Sequence, residues 1–325
     1  MSNRAVVPAE GAILDQILAA THEIWHEGLS RAAYARYYAA QQATAWGRAH
    51  LERLALVDGD DVLASAKVYR FAATLDARPV TVVGLGAIFT QPAHRGRGAA
   101  RELVDRLLER AAAGGGDLAL LFSEIGPDYY ARFGFTTIAT HDVRLRVSES
   151  TRHGAPMTMV RAGDDRDLDD LVAMGKTRAE PYRFRLDRSR ELIQYAIVKR
   201  RLLAGLGPAG AREVRFFIAE EGASAAAYVV IAVRGGEWSI EECGDRDPTG
   251  ARVGAILQVL FARDSAERRP EVTAWLPPGF LPPQLTVLDR RPSKDVMMCC
   301  SLSSNGAAAA TLDEGDLLYW KSDMF

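Results

Sequence analysis

The sequence predicts an α/β (α+β) protein made of two domains that share one order of elements. Its 325 residues are too many for one small domain and suit two. The hydrophobic fraction of 48% can supply two sizeable cores. Strand-like and helix-like patterns alternate through the first half, and the same order restarts near Thr158, which indicates an internal repeat on the scale of a domain. We therefore expect domains at residues 1–148 and 158–303, a linker at 149–157 and a tail at 304–325.

Charge and composition narrow the range of functions. The 40 Lys and Arg residues nearly balance the 42 Asp and Glu residues, which gives a net charge of −2. This balance argues against a nucleic acid or a membrane surface as a partner bound through bulk charge. The three cysteines are too few and too badly spaced for a disulfide framework or a zinc site, so no metal is expected. Without an evident secretory signal or an apolar run of membrane-spanning length, we expect a soluble, cytoplasmic monomer or homodimer.

The elements of the first half follow from local patterns. Two strand-like runs joined by the turn at 58–61 predict a hairpin. A helix that begins at Ala99 has Leu103 and Leu107 on one face and charged residues on the other, and it ends at Gly114. In chain order we expect a strand at 5–7, helices at 13–25 and 30–44, strands at 51–57, 62–73 and 82–89, the helix from Ala99, and strands at 118–122, 136–140 and 142–147, the last two closing the first sheet.

The second half repeats this order of elements. The adjacent Cys299 and Cys300 lie in an apolar run, which indicates a buried strand. Residues 305–310 are expected to form a flexible link, and residues 317–325 an aromatic tail. The other expected elements are a strand at 158–162, helices through 168–174 and 187–206, strands at 213–219, 224–233 and 237–243, a helix at 251–267 and a strand at 272–276.

Between residues 82 and 100, a strand, a glycine-rich turn and a helix start follow one another, as in phosphate-binding sites. The first N–H groups of a helix have no intrahelical partner and carry the positive end of the helix dipole. Glycines let an anion come close to these amides. The lysine of a P-loop and the Gly-x-Gly-x-x-Gly of a dinucleotide fold are both missing from this stretch. We expect the amides of residues 96–100 to hold a pyrophosphate, with charge from Arg95, Arg97 and Arg101.

Two motifs resemble those of one enzyme family. Arg95-Gly96-Arg97-Gly98-Ala99-Ala100 is similar to the acetyl-CoA signature of the GNAT N-acetyltransferases, Arg/Gln-x-x-Gly-x-Gly/Ala, and Tyr130-Ala131-Arg132-Phe133-Gly134-Phe135 resembles their Tyr-x-x-x-Gly-Phe element. The longer stretch FSEIGPDYYARFGF resembles Eis-like enzymes and fungal lysine N-acetyltransferases. Two motifs in the family's order, joined by one helix and one strand, are hard to reach by chance.

The resemblance implies a fold and an activity. It implies two tandem GNAT-like domains, each with a mixed, mostly antiparallel central sheet flanked by helices. It also implies an N-acetyltransferase that moves an acetyl group from acetyl-CoA, as cosubstrate, to a primary amine of a small molecule. Three alternatives stay open: a non-catalytic CoA-binding sensor or scaffold, a transferase that uses another acyl-CoA, and a tRNA-dependent aminoacyl ligase, whose relatives lack the CoA loop.

The resemblance also implies roles for individual residues. Backbone N–H groups of the strand before the turn should bind the pantetheine arm and the thioester carbonyl, and Tyr130 should protonate the departing CoA thiolate. The cofactor-binding residues are then Ile88, Phe89, Thr90, Arg95, Gly96, Arg97, Gly98, Ala99 and Ala100. The expected substrate-binding residues are Trp25, His26, Tyr34 and Glu124.

The general base stays open, because the strand at 82–89 has no acidic residue. Glu124 is one candidate, and Asp128 and His26 are two others. In Eis-type enzymes the chain terminus reaches the active site, so the α-carboxylate of Phe325 is a fourth candidate. A chain of water molecules is the remaining alternative.

The second half lacks both motifs. Before its central helix, residues 245–254 contain no arginine or glutamine three residues ahead of a glycine, and two aspartates there would repel a pyrophosphate. Four prolines follow its last core strand instead of a Tyr-x-x-x-Gly-Phe helix. We expect the second domain to be structural and to form one wall of the substrate site.

Overall fold

A computed structural model describes residues 4–149, 159–263 and 269–325. The chain divides into two compact units, the first formed by Met1–Ala139, Lys294–Asp313 and Phe325, and the second by Thr140–Ser293 and Glu314–Met324. The expected linker at 149–157 lies outside the described residues, apart from Glu149. Among the described residues, no helix is both long enough and apolar enough to span a membrane.

The first unit contains the nine strands and helices that the sequence patterns predicted between residues 5 and 140, and a few elements from other predictions or from none. Its elements are β1 (Arg4–Pro8), α1 (Gly11–Trp25), α2 (Arg31–Ala43), α3 (Ala45–His50), β2 (Leu51–Asp58), β3 (Asp61–Leu75), β4 (Arg78–Thr90), α4 (Ala99–Ala113), β5 (Leu118–Ser123), α5 (Asp128–Ala131), β6 (Thr136–Ile138) and, from the later part of the chain, β15 (Val296–Ser301).

Seven strands of the first unit follow the order β1-β2-β3-β4-β5-β15-β6. Strands β2 and β3 form the expected hairpin, and β3 pairs antiparallel with β4 along most of its length. The one parallel pair of these seven strands is β4 with β5, because α4 lies between them in the chain. The sheet is therefore mixed and mostly antiparallel, as predicted.

Helix α4 packs on this sheet through its predicted apolar face. Leu103 and Leu107 are buried in one core cluster with Leu54 of β2, Leu85 of β4 and Leu121 of β5. The charged face makes the ion pair between Arg106 and Glu102, four residues apart. This packing fixes where the N-terminus of α4 lies relative to the end of β4.

The second unit has a matching set of elements. They are β7 (His141–Val147), β8 (Met159–Ala162), α6 (Leu168–Ala179), β9 (Phe184–Leu186), α7 (Arg190–Leu206), β10 (Arg212–Glu221), β11 (Ser224–Arg234), β12 (Glu237–Asp245), α8 (Ala251–Phe261), β13 (Glu271–Ala274), β14 (Leu285–Pro292) and β16 (Leu317–Leu318).

The second sheet has the order β8-β10-β11-β12-β13-β7-β14, which matches the first sheet strand for strand. Its one parallel pair among these seven strands is β12 with β13, and α8 lies between them in the chain as α4 does between β4 and β5. The prediction of two GNAT-like domains, each with a mixed, mostly antiparallel sheet flanked by helices, is confirmed.

One strand in each sheet comes from an unexpected part of the sequence. We predicted that residues 142–147 close the first sheet, but β7 pairs with β13 and β14 of the second sheet, so that prediction is wrong. The corresponding place in the first sheet is taken by β15, which pairs with β5 and β6. The two units therefore do not follow the expected boundaries of 1–148 and 158–303.

Three shorter segments also differ from the sequence predictions. The helix expected at 30–44 ends at Ala43, and α3 starts anew because Thr44 Oγ1 accepts a hydrogen bond from the amide of Gly47 at 2.9 Å. The segment expected to be a flexible link is the 3₁₀ helix Ser304–Thr311, packed so closely that a Cβ on Gly306 would lie 2.1 Å from the Asp117 carbonyl oxygen. Helix α8 ends at Phe261 rather than at residue 267.

Candidate active site

Strands β4 and β5 separate in the middle of the first sheet. Their parallel pairing covers Val82 to Gly84 on β4 and ends at Leu120 on β5. Beyond this point the two strands have no register with each other, so a cleft opens between the second half of β4 and the end of β5. Tyr130 and Glu124 come from the segment that follows β5, so the chain delivers them to the same cleft.

A bulge lies in β4 beside this cleft. The register with β3 pairs Lys67 with Gly86 and Ser65 with Phe89, which leaves one extra residue on β4. Ala87 there has a φ of 47°, which is rare for a residue with a side chain. Neither Ala87 nor Ile88 is paired in register with β3 or β5, whereas Phe89 and Thr90 pair with β3. The bulge thus frees backbone groups at Ile88, one of the predicted cofactor-binding positions.

The cleft widens into a cavity of about 330 Å³ in the first unit. Apart from Phe325, the cavity brings together five of the predicted site residues, one each from α1, α2 and β4 and two from the segment after β5. These are Trp25, Tyr34, Ile88, Glu124 and Tyr130. Phe325 lines the same cavity, and the other lining residues include Tyr37, Tyr38, Arg53, Lys67 and Phe122.

Tyr130 is held by the turn that its motif encodes. Gly134, at a φ of 83°, reverses the chain after α5, so that Phe135 packs against the Tyr130 ring with centroids 6.2 Å apart. Tyr130 is 8% exposed, and burial, followed by the neighbouring Tyr129 and Glu124, raises the pKa of its phenol to about 12. The phenol therefore keeps its proton at neutral pH and can donate it.

Glu124 lies at the rim of the cavity. Ser123 Oγ donates a hydrogen bond to the carbonyl oxygen of Gly126 at 2.6 Å, which closes the turn that carries Glu124. The side chain is exposed and lines the cavity with Tyr130. Of the residues considered for the base, Glu124 is the acidic side chain that the fold brings next to the proposed acid.

Two other candidates for the base do not line the cavity. His26 is exposed at the end of α1, where its Nδ1 accepts a hydrogen bond from the Gly28 amide at 2.9 Å. Asp128 is the first residue of α5 and makes no side-chain cap there; Pro127 holds the cap position. The neighbouring Trp25 is partly buried and packs edge-on against Phe89, with ring centroids 6.2 Å apart.

Phe325 lies at the point where β4 and β5 separate. Its ring packs against Tyr69 at a centroid distance of 4.8 Å and, edge-on, against Phe122 at 5.5 Å. Gly84 and Gly86 provide the space: a Cβ on Gly86 would be 3.2 Å from the main-chain carbon and oxygen of Phe325. The sequence alone left open whether these glycines mark a bulge or core packing. The close approach of Phe325 explains why positions 84 and 86 are both glycine.

The glycine-rich turn before α4 is open to solvent. Gly96 and Gly98 have φ values of 73° and 80°, and nothing lies within 4 Å of a Cβ placed on either of them. Gly98 caps α4, so the first amides of the helix, at Ala99 and Ala100, follow directly. Arg95 and Arg97 in this turn are also exposed. An exposed helix start with close backbone access fits a pyrophosphate.

The corresponding turn of the second unit is closed. Gly250 caps α8 at a φ of 74°, but a Cβ on it would be 2.7 Å from the ring of Phe280. The carboxylate of Asp245 accepts hydrogen bonds from the amides of Arg252 at 2.8 Å and Val253 at 3.4 Å. A protein carboxylate therefore already holds the helix start that would have to bind a phosphate.

Two charged cavity residues escaped the sequence analysis. Arg53 on β2 is 5% exposed, and its Cζ lies 4.8 Å from the centroid of the Tyr38 ring. Lys67 on β3 is paired in register with Arg53, and its Nζ lies 5.5 Å from the same ring. One feature of the sequence could have indicated Arg53. Side chains of a strand point alternately to its two faces, so Arg53 shares a face of β2 with Leu51 and Ala55, which are buried.

Among the described residues there is no group of three or more His, Cys, Asp or Glu side chains that could hold a metal ion. Burial raises the pKa of Cys299, and Thr136 is its hydrogen-bonding neighbour. This thiol packs in β15 as a small buried residue.

Comparisons with known proteins agree with this arrangement. Residues 15–138 match the family described as acetyltransferase (GNAT) domain, and no curated protein matches the sequence. The GCN5-related N-acetyltransferase from Kribbella flavida is 20% identical, over 95% of this chain and 74% of that chain, with a TM-score of 0.68. Eis1 from Mycobacterium abscessus is 15% identical, over 94% and 76% of the two chains, with a TM-score of 0.56.

A third similar structure is the N-myristoyltransferase of Saccharomyces cerevisiae with bound myristoyl-CoA. It is 8% identical, over 93% of this chain and 79% of that chain, with a TM-score of 0.56. At these identities the similarity shows a common fold. Residues 15–138 therefore match the model of the GNAT acetyltransferase domain, and the chain as a whole shares the fold of the GCN5-related N-acetyltransferase structures.

Proposed function

We propose that the protein transfers an acetyl group from acetyl-CoA to a primary amine of a small molecule. One observation carries this proposal: a single cavity joins the β4 bulge at Ile88 to the buried phenol of Tyr130. The open glycine turn that caps α4 follows β4 after the short 3₁₀ helix Pro92–His94. The order of these parts is what an acyl transfer from a CoA thioester requires.

In this proposal, backbone groups of the protein bind acetyl-CoA. The amides of residues 96–100 would hold the pyrophosphate, because Gly96 and Gly98 leave room for it and α4 directs its positive end there. Arg95 and Arg97 add charge from the exposed turn. The free backbone of the bulge at Ile88, with Phe89 and Thr90 after it, would orient the pantetheine arm and the thioester carbonyl. Acetyl-CoA, when bound, supplies an acetyl group on a thioester.

The chemical step needs a proton donor and a proton acceptor. The amine nitrogen forms a bond to the acetyl carbon, the carbon–sulfur bond breaks, and the electron pair leaves on sulfur. Tyr130 donates its phenolic proton to that sulfur. Its raised pKa keeps the donor protonated at neutral pH.

Glu124 is the proposed acceptor of the proton that the amine loses, directly or through water. It lines the cavity with Tyr130, whereas His26 and Asp128 do not. Phe325 remains the second candidate, because its main-chain carbon and oxygen lie beside Gly86 at the cavity wall. Trp25 and Tyr34 supply aromatic surface for the acceptor.

The experiment is a thiol-release assay with acetyl-CoA against a panel of amines that includes lysine, polyamines and aminoglycosides. We expect amine-dependent release of CoA, and mass spectrometry should find an acetylated amine. Binding of CoA without release for any amine would contradict a transferase and favour a CoA-binding sensor. Release of CoA from propionyl-CoA or longer thioesters, but not from acetyl-CoA, would mean that the protein transfers an acyl group other than acetyl.

A further inference from the structure

Arg53 is the one charged side chain of β2 that is almost completely buried. It is 5% exposed, whereas Glu52 beside it is exposed. Arg53 nevertheless lines the cavity that holds Tyr130. Its position in the strand points it to the face on which Leu51 and Ala55 are buried, so the fold places a guanidinium at the inner wall of the proposed site.

No group of the described residues accepts a hydrogen bond from Nε, Nη1 or Nη2 of Arg53. Buried polar groups are normally paired, and a guanidinium has five N–H donors in one plane. The contact that Arg53 does make, with the face of the Tyr38 ring, leaves those in-plane donors unused. A planar fork of unused donors matches a carboxylate, which can accept two parallel hydrogen bonds.

Lys67 adds positive charge at the same place. It lies opposite Arg53 in the β2–β3 ladder, and its ammonium is near the same Tyr38 ring. The next residue across the sheet is Gly86, paired with Lys67 and adjacent to the bulge. Neighbouring strands lie about 4.8 Å apart, so the backbone of Arg53 is roughly 10 Å from that of Gly86.

We propose that the acceptor amine also carries a carboxylate, and that Arg53 binds this carboxylate through its unpaired guanidinium. The amine and the carboxylate are separated by several bonds, because the bulge and Arg53 lie two strands apart. This inference rests on the proposed function and names the chemical class of its acceptor: an amino carboxylate whose amine reaches Tyr130 while its anionic end reaches β2.

The test compares two amines that differ in one group, 6-aminohexanoate and 6-aminohexanamide, in the thiol-release assay. We expect kcat/KM for the carboxylate to exceed that for the amide by on the order of tenfold to a hundredfold. In Arg53→Met this preference should fall to about one. Arg53→Lys, which keeps the charge and loses the fork, should retain part of it. Arg110→Met, at an exposed arginine of α4, is the matched control and should keep the full preference.

An equal kcat/KM for the two amines in the wild-type enzyme would overturn the proposal, and so would a preference that survives in Arg53→Met. A second measurement does not depend on turnover: saturation-transfer NMR of hexanoate and hexanamide with the wild-type protein and with Arg53→Met. Hexanoate should bind only when Arg53 is present. If no amine is acetylated but hexanoate binds through Arg53, the transferase fails while the carboxylate site stands. If amines are acetylated but hexanoate does not bind, the transferase stands and the carboxylate site fails.

Discussion

The ring of Phe325 lies against Gly84, where a Cβ would be 2.6 Å from the ring's Cζ atom. Gly84 is also the last β4 residue paired with β5, so the ring fills the point at which the two strands separate. Tyr69 and Phe71 of β3 also pack against this ring, with centroids 4.8 and 5.6 Å away. Gly84 does not have a positive φ, so its backbone conformation does not require a glycine. The residue is a glycine because the Phe325 ring occupies the space of a Cβ.

The first prediction follows from this contact. Gly84→Ala should destabilise the first unit by about 1–3 kcal/mol, because the new methyl group overlaps a ring that is enclosed by other aromatic side chains. In a Phe325→Ala background the same change should cost much less, since the overlapping ring is gone. Urea denaturation of the four proteins gives the coupling free energy. Strictly additive effects would show that the ring does not occupy this place.

The second prediction concerns the glycine turn. Gly98→Glu should weaken CoA binding more than tenfold, because a bulky anion would occupy the space at the start of α4. The positive φ of Gly98 means that this change also strains the backbone. Gly115→Glu is therefore the control: its φ of 77° is similar, its surroundings are equally open, and it lies beyond the other end of α4.

Calorimetry with CoA measures both variants. The two should lose similar stability, and only Gly98→Glu should lose affinity. Equal affinity in both would contradict the placement of the pyrophosphate at this turn, and equal loss in both would assign the effect to strain in α4.

The third prediction concerns stoichiometry. Calorimetric titration should give one CoA per chain, because the start of α8 is held by the Asp245 carboxylate and covered by Phe280. Two CoA per chain would mean that Asp245 moves aside. Asp245→Asn should lower the melting temperature by weakening the charge-assisted hydrogen bonds to Arg252 and Val253, without creating a second site.

Local sequence patterns predicted most strands and helices of both units, but they did not predict which distant strands pair. The apolar face of α4 and the turn at Gly134 are written in neighbouring residues, so they could be predicted. Residues 141–147 and 296–301 both have strand patterns, but the choice of partner depends on distant residues, and the sequence assigned the wrong strand to the first sheet. Pairing between distant strands is a tertiary property that a local pattern does not contain.

The same distinction applies to the site. Ile88, Glu124 and Tyr130 lie in the part of the chain that carries the two family-like motifs, and the fold brings them to one cavity. Arg53 and Lys67 lie outside that part of the chain, on strands that precede it; the neighbours of Arg53 indicate that it faces inward, but they do not indicate a cavity. Their meeting depends on the β2–β3 register.

The fourth prediction uses a buried lysine of the second unit. Burial, followed by the neighbouring Arg200, lowers the pKa of Lys199 from its ordinary 10.5 to about 7, although Asp323 and Glu241 oppose this shift. Its ammonium donates hydrogen bonds to the carbonyl oxygens of Ser322 and Met324. Between these two pKa values the unfolded chain binds the proton more strongly, so the contribution of Lys199 to stability rises with pH.

That contribution is full above about pH 10.5 and is lost as the pH falls to about 7. The melting temperature should therefore rise more between pH 6 and pH 9 in the wild-type protein than in Lys199→Met. Lys176→Met, at an exposed lysine of α6, is the control and should keep the wild-type slope. Identical slopes in all three proteins would show that Lys199 does not titrate in this range.

The last prediction tests the proposed acid. Tyr130→Phe keeps the ring and its packing against Phe135 and removes only the hydroxyl group. If that group protonates the thiolate, turnover should fall by on the order of a hundredfold, within the usual range for a general acid. The affinity for CoA and the melting temperature should hardly change, because backbone amides hold the cofactor and the ring stays in place.

Tyr129→Phe is the matched control for this change. Tyr129 is the preceding residue and packs on Phe133, but it does not line the cavity, so its hydroxyl should be dispensable for turnover. Near-full turnover of Tyr130→Phe at saturating substrate would make Tyr130 a packing residue and leave the proton to water. A fall in turnover accompanied by a lower melting temperature would instead assign the hydroxyl to a structural hydrogen bond. Only loss of turnover with stability and CoA affinity retained supports the phenol as the acid.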